Sequence, residues 1–220
     1  KGMVLKMCIG DKKNLLKKDE INFEPENITN SKISLNYEQK AALNYLKKTG
    51  NNFNTTVLQG VTGSGKTIVY FERIKEIIKE KKQVLVLLPE IFLTNQFKER
   101  FQEFFGFEPS VWHSKITPKN KRILWQKINK NKIKILIGAR SSLLLPFKKL
   151  GLIIVDEEHD SSYKQEEGII YNARDMAISR AAIENIPIHL VTSIPSLETF
   201  NNINNKKYNQ ISLKKRFNNF

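Results

Sequence analysis

Two periodicities of apolar residues run along this chain from Leu35 onward. Short apolar runs alternate with longer stretches in which apolar residues fall three and four apart. Asn36 stands where a helix cap belongs, ahead of Ala41, Ala42, Tyr45 and Leu46, in a helix that stops at Gly50. The runs Thr56–Gln59, Gln83–Leu88, Ser110–His113, Ile133–Ile137, Leu152–Asp156 and Ile188–Thr192 predict strands. Helices are predicted over Lys66–Glu80, Asn95–Phe105, Thr117 to about Asn129, and Arg174–Glu184. Thr117-Pro118 supplies a cap followed by proline at the first helical position. Thr49–Thr55 reads as a polar loop and the cluster Asn201–Asn205 as a turn. Strands separated by helices of this length build βαβ units, so the fold class is α/β, a mainly parallel sheet with helices on both faces. Phe97, Phe101, Phe104 and Phe105 share a helical face and belong to the core, as do Trp112 and Trp125. His113 and His189 have no second ligand at metal spacing.

Composition bounds the rest. A chain of 220 residues with 40% hydrophobic content has room for one medium-sized domain and a small appendage. Residues 1–33 are charged and poorly periodic, and are expected to form a poorly structured segment ahead of the domain. The 37 basic residues against 22 acidic ones give a net charge of +15, which suits a polyanion such as nucleic acid or anionic lipid. The same excess, mostly Lys beside many Asn and Ile, is also what an AT-rich genome writes. Cys8, the single cysteine, makes neither an internal disulfide nor a zinc cluster, and a reducing, cytoplasmic setting is expected. No run approaches the ~18 apolar residues of a membrane span, and the first residues lack the apolar centre of a signal peptide. The chain opens on Lys rather than Met, so a fragment is expected.

One segment carries specific chemistry. Gly60-Val61-Thr62-Gly63-Ser64-Gly65-Lys66-Thr67 follows an apolar strand and opens a helix, the G-x-x-x-x-G-K-T pattern of a P-loop NTPase. Its glycines let backbone N–H groups turn inward around phosphates, and the helix N-terminus adds the positive end of its dipole. Lys66 brings a mobile positive charge, and the Thr67 hydroxyl is a ligand for Mg²⁺. Downstream, the buried-strand run Leu152–Val155 ends in Asp156-Glu157-Glu158-His159. Carboxylates at the C-terminal tip of a parallel strand face the crevice where α/β sheets bind ligands. Asp156 suits Mg²⁺ and Glu157 suits a base for the attacking water, so nucleotide hydrolysis is the expected chemistry.

These residues resemble superfamily 2 helicases of the DEAH-box type. Further strings narrow the likeness: Leu88–Gln96 (LPEIFLTNQ), Gly138–Phe147 (GARSSLLLPF), Gly151–Gln165 (GLIIVDEEHDSSYKQ), Tyr171–Asp175 (YNARD) and Pro195–Glu198 (PSLE). In this order they are similar to the replication-restart, or primosomal, helicase family, from about Ser34 to the C-terminus. The resemblance implies a RecA-like first motor lobe over residues 34–212, the tail of a winged-helix module before it, and the start of a linker to a second lobe over 213–220. It implies that ATP and Mg²⁺ are the cofactors, that Gln39 contacts adenine, and that Asp156, Glu157, Glu158 and His159 form the DEAH box. It also implies that His159 and Thr192–Ile194 relay the nucleotide state. Glu90, Thr94, Gln96, Arg140 and Ser141 would touch the DNA backbone, although Thr94 also reads as a helix cap and Arg140 could equally pair with an acid. Tyr163, Lys164, Tyr171 and Arg174 belong to an aromatic loop and its flank that would stack single-stranded bases and couple DNA to the ATPase.

The sequence departs from that family at Ile169, Ile170, Asn172 and Ile194, which stand in place of Trp, Arg, His and a hydroxyl residue. The zinc-binding cysteines of the family are not in this sequence. The activity implied is the ATP-binding lobe of a 3′→5′ DNA helicase acting at stalled forks, with little or no turnover on its own. Its implied partners are forked or single-stranded DNA, single-stranded-DNA-binding protein and other primosome proteins, with no membrane. Two other readings remain: a non-hydrolysing DNA-binding remnant, and a translocase lobe of a restriction or repair machine.

Overall fold

The computed structural model describes residues 34–166, 168 and 170–216. The expectations for residues 1–33 and for Ile169 lie outside the described residues. The chain runs α1 (Tyr37–Lys48), β1 (Thr55–Gly60), α2 (Lys66–Lys79), β2 (Gln83–Leu87), α3 (Asn95–Phe105), β3 (Ser110–Trp112), α4 (Pro118–Asn129), β4 (Ile135–Gly138) and β5 (Leu150–Asp156). It continues through β6 (Lys164–Gln165), β7 (Tyr171–Asn172), α5 (Ala173–Ile183), β8 (Ile188–Thr192), α6 (Leu197–Asn204) and β9 (Asn209–Leu213). Seven strands form one sheet in the order β3-β4-β2-β5-β8-β1-β9. Every neighbouring pair in it is parallel. A separate antiparallel pair joins β6 to β7.

The sheet is buried on both faces, which is why its central strands read as continuous apolar runs. Val57, Leu85, Leu87, Ile153 and Leu190 face one core, covered by α4 and α5. Leu58, Val84, Val86, Leu152 and Val191 face the other, covered by α1, α2 and α3. The phenylalanines of α3 close around Phe71, with ring centroids 5.1–6.1 Å away. Trp112 is fully buried and its indole N–H donates to Ser141 Oγ at 3.1 Å. The expected fold class is therefore the observed one.

Helix ends follow local chemistry. Asn36 and Gln39 form a reciprocal capping box on α1, Thr94 caps α3, Thr117 caps α4 and Ser196 caps α6. Three expectations change. The Asn-rich stretch expected as a turn is the last part of α6, because Ser196 caps the helix and Thr199 and Ile203 turn inward. An edge strand, β9, follows on β1. Leu213, expected to open a linker, is its buried last residue, tucked against Gly60. On α1 the buried apolar residues are Ala42, Leu43 and Leu46, whereas Ala41 faces solvent.

Candidate active site

All seven parallel strands point their C-terminal ends at one crest, and the residues singled out for chemistry gather there. β1 delivers Gly60 into the phosphate loop, where Gly63 (φ 80°) and Gly65 (φ 84°) take left-handed conformations that side chains resist. That geometry turns the chain sharply ahead of α2, where Ser64 N donates to Val61 O at 3.0 Å. Lys66 is buried, and its Nζ donates to Gly60 O at 2.7 Å and more weakly to Val61 O at 3.5 Å. Ser64 Oγ is buried in the same loop without a hydrogen-bond partner among the described residues. Gln39 is fully buried: its Oε1 accepts from Asn36 N and its Nε2 donates to Ser64 O at 3.0 Å. With one donor and one acceptor of its amide, Gln39 thus braces α1 against the phosphate loop.

Opposite Lys66, β5 presents Asp156. Its Oδ2 accepts from the Tyr70 hydroxyl at 2.9 Å and its Oδ1 from Glu157 N at 3.0 Å. Burial first, and then the neighbouring Glu157 charge, push the Asp156 carboxyl up to about 6. The Tyr70 phenol, on α2 one turn after Thr67, thus ties that helix to Asp156. Burial and the Asp156 charge push that phenol well above its ordinary value. A glycine-bent loop at a helix N-terminus, an ammonium on a long stem, an unpartnered hydroxyl and a buried carboxyl crowded by a second acid fit a Mg²⁺–nucleotide. Glu157 adopts φ 49°, a strained conformation for a non-glycine residue, and its carboxylate is partly exposed beside Asp156.

The last two DEAH residues turn towards β8. Glu158 is buried and accepts from Ser196 N (2.8 Å), Ser196 Oγ (3.1 Å), Thr199 Oγ1 (2.9 Å) and Arg174 (3.3 Å). His159 Nδ1 lies 2.8 Å from Thr192 Oγ1, and that hydroxyl donates its one proton to Ile194 O at 2.8 Å. The imidazole must therefore donate at Nδ1. The contact to Ile194 uses its carbonyl, which any residue supplies, so the departure at that position leaves this link in place.

The expected DNA residues divide. Gln96 and Lys164 are exposed at the crest. Thr94 serves as the cap of α3, accepting from Phe97 N at 3.2 Å. Glu90 accepts from Ser114 N and Oγ at 3.1 and 3.0 Å, tying the loop after β2 to the loop after β3. Arg140 donates to Lys164 O, and Ser141 holds the Trp112 indole.

Tyr163 does not present a stacking face. Its ring is 2% exposed, and its hydroxyl donates to Asp156 O at 2.6 Å and Leu87 O at 3.0 Å. Tyr171 is partly buried against the core. Arg174 is buried between Glu158 and Asp175. Burial pulls its guanidinium down, but those carboxylates outweigh it and hold it above the ordinary value. Asn172 caps α5 by accepting from Arg174 N at 3.0 Å, and Ile170 is 79% exposed.

Sequence reasoning did not single out Tyr70, whose only signal was a polar hydroxyl on the apolar face of α2. It likewise passed over Gln83, a buried amide among hydrophobic residues.

Known proteins resemble this chain in sequence and in fold. A family model described as type III restriction enzyme, res subunit (ResIII) matches residues 32–187. The replication restart protein PriA of Rickettsia conorii is 45% identical over 219 residues, covering 99% of this chain and 32% of that protein. PriA of Haemophilus influenzae is 45% identical over 186 residues, 84% of this chain and 25% of that protein. PriA of Bacillus subtilis is 40% identical over 188 residues, 84% of this chain and 23% of that protein. The chain thus spans about a third or less of the length of these curated relatives. They bear out the resemblance to replication-restart helicases. RecG bound to a three-way DNA junction matches with a TM-score of 0.61 at 21% identity, over 83% of this chain and 24% of that one. MrfA bound to DNA and AMPPNP matches with a TM-score of 0.58 at 19% identity, over 89% and 30%. At these identities the likeness establishes the fold, that of a helicase RecA-like domain.

Proposed function

Since the chain belongs to the ResIII family (type III restriction enzyme, res subunit), we propose that it is the ATP-binding lobe of a 3′→5′ DNA helicase that restarts stalled replication forks. One observation carries the reading: the phosphate loop and the Asp156–Glu157 pair meet on one crest, with Tyr70 of α2 donating to Asp156. The PriA relatives supply the replication-restart context.

In this reading Lys66 leaves Gly60 O for the phosphates, and the loop amides and the start of α2 hold their charge. Mg²⁺, held by Thr67 and Asp156, would neutralise further phosphate charge. Glu157 orients the attacking water and takes its proton. Glu158 holds the segment after β8, and His159 reports on that segment through Thr192. Forked or single-stranded DNA is the proposed substrate, with single-stranded-DNA-binding protein and other primosome proteins as partners in the cytoplasm. Among the described residues no helix is long and apolar enough to cross a membrane.

The test is titration of a fluorescent ADP analogue with Mg²⁺ into the chain. Saturable binding is expected, and it should vanish in Lys66→Ala. A folded Lys66→Ala variant that keeps its affinity would overturn the site assignment.

A further inference from the structure

The strands that gather the nucleotide site at their C-terminal ends also gather, at their N-terminal ends, a group of lysines with no part in that site. From Pro109 to Val155 the chain contains 11 Lys and Arg and no Asp or Glu over 47 residues. Acids make up 22 of 220 residues overall, so a run of this length would ordinarily hold four or five.

The fold concentrates part of this charge. β4, β2 and β5 are neighbours in the sheet, and the loops that lead into them bring Lys130 and Lys132, Lys81 and Lys82, and Lys148 and Lys149 to one edge. Adjacent strands lie about 4.8 Å apart, so the three loops occupy a strip roughly 10 Å wide.

A buried glutamine fixes the strip. Gln83, fully buried at the start of β2, donates through Nε2 to Ile128 O at 3.1 Å and Ile133 O at 2.8 Å. Its Oε1 accepts from Lys148 N at 2.9 Å and Lys149 N at 3.0 Å. All four hydrogen-bonding positions of the amide are used, and they hold the end of α4 and the lysine-bearing loops before β4 and β5. Gly151 lets the Lys82 stem lie flat, since a Cβ there would come within 2.6 Å of Lys82 Cδ.

Lys82 pairs with Glu80 at 2.8 Å, the one acid on these loops. Lys81, Lys130, Lys132, Lys148 and Lys149 have no side-chain partner among the described residues, and all five are exposed. None of the exposed large hydrophobic side chains lies on the strip, so it offers no apolar anchor to an acidic peptide or to lipid tails. Preorganised point charges without apolar company suit a phosphodiester backbone, which needs neutralising but not reading.

We propose that this edge is a second nucleic-acid surface, on which the lysines of the three loops hold DNA phosphates on the side of the lobe away from the nucleotide site. Strands of four to seven residues separate the two edges by about 13–23 Å, so DNA can engage this surface while the crest is occupied.

The experiment replaces Lys130, Lys132, Lys148 and Lys149 together by Gln and measures binding of a labelled duplex by anisotropy between about 50 and 200 mM salt. The affinity at low salt should fall about tenfold or more. The salt slope should become shallower by about 2 to 4, since each phosphate that a lysine neutralises adds roughly 0.9 to it. The same four positions changed to Arg should keep both. ADP-analogue binding should be equal in all three proteins, which shows that the variants fold. An unchanged slope in the Gln variant would overturn the proposal. So would lysine-dependent binding of poly-glutamate or of anionic phosphatidylserine vesicles with DNA binding intact. Loss of nucleotide binding by the unaltered chain would instead refute the motor reading and leave this surface standing.

Discussion

At the scale of single residues, His189 shows what the core tolerates. It sits in β8 with its ring fully buried, and among the described residues neither ring nitrogen has a hydrogen-bond partner. Burial, and secondarily the nearby Arg73 charge, hold its imidazole down at about 3. In the unfolded chain it titrates at the ordinary value of about 6.5. Between those values the unfolded state binds the extra proton, so stability that is complete above pH 6.5 is lost as the pH falls towards 3. By pH 5 the loss should reach about 2 kcal/mol, or about 5 °C in Tm for a domain of this size. His189→Leu keeps the space filled and removes the titration. Thermal melts of both proteins at pH 7.5 and 5 should show the smaller drop in the variant. Equal drops would mean that the ring is hydrated or paired in solution.

At the scale of elements, Glu158 is a joint. Its carboxylate ties the end of β5 to the first turn of α6 through Ser196 and Thr199, and to the start of α5 through Arg174. Glu158→Ala would leave Ser196 N and the Thr199 hydroxyl unpaired and Arg174 with Asp175 as its near partner, at a cost of about 2–4 kcal/mol. Glu158→Gln still accepts a hydrogen bond and should cost less, about 1–2 kcal/mol. Urea denaturation of the two variants gives that order; a Gln variant as weak as the Ala variant would mean that charge, not hydrogen bonding, makes the joint.

The sequence was legible wherever a pattern had to be local. β1, β2, β4, β5 and β8 show as apolar runs because both their faces are buried, and the phosphate loop shows because its chemistry dictates residue types at fixed spacing. The Glu158 joint was not legible as a joint, since its partners are 16 to 41 residues away. Tyr70 and Asp156 are likewise 86 residues apart. β9 was hidden for a different reason: as an edge strand it buries little beyond Leu213, so it carries no apolar run. α6 was masked by its asparagines, which lie on its solvent side while Thr199 and Ile203 supply the inward contacts.

At the scale of the whole molecule, one lobe supplies charge to a bound phosphate from one side only. Phosphoryl transfer depends on positioning and on charge brought to the transition state, and an arginine closing the far side is worth about 10³–10⁵ in rate. Four arginines of this lobe are committed to other partners. Arg73 reaches Asn51 and Glu76, Arg140 donates to Lys164 O, Arg174 is held by Glu158, and Arg180 pairs with Glu184. The 220-residue chain should therefore bind Mg²⁺–nucleotide while turning it over more slowly than roughly 10⁻² per second. Added DNA should not raise that rate. Phosphate release with Lys66→Ala as the blank measures it. Faster, DNA-stimulated release would mean that the lobe completes its own site, and Arg140 would be the group to suspect. It is partly exposed on the crest and tethered by a single carbonyl, so it can move at little cost. Arg140→Gln would then abolish the stimulation while leaving nucleotide affinity unchanged.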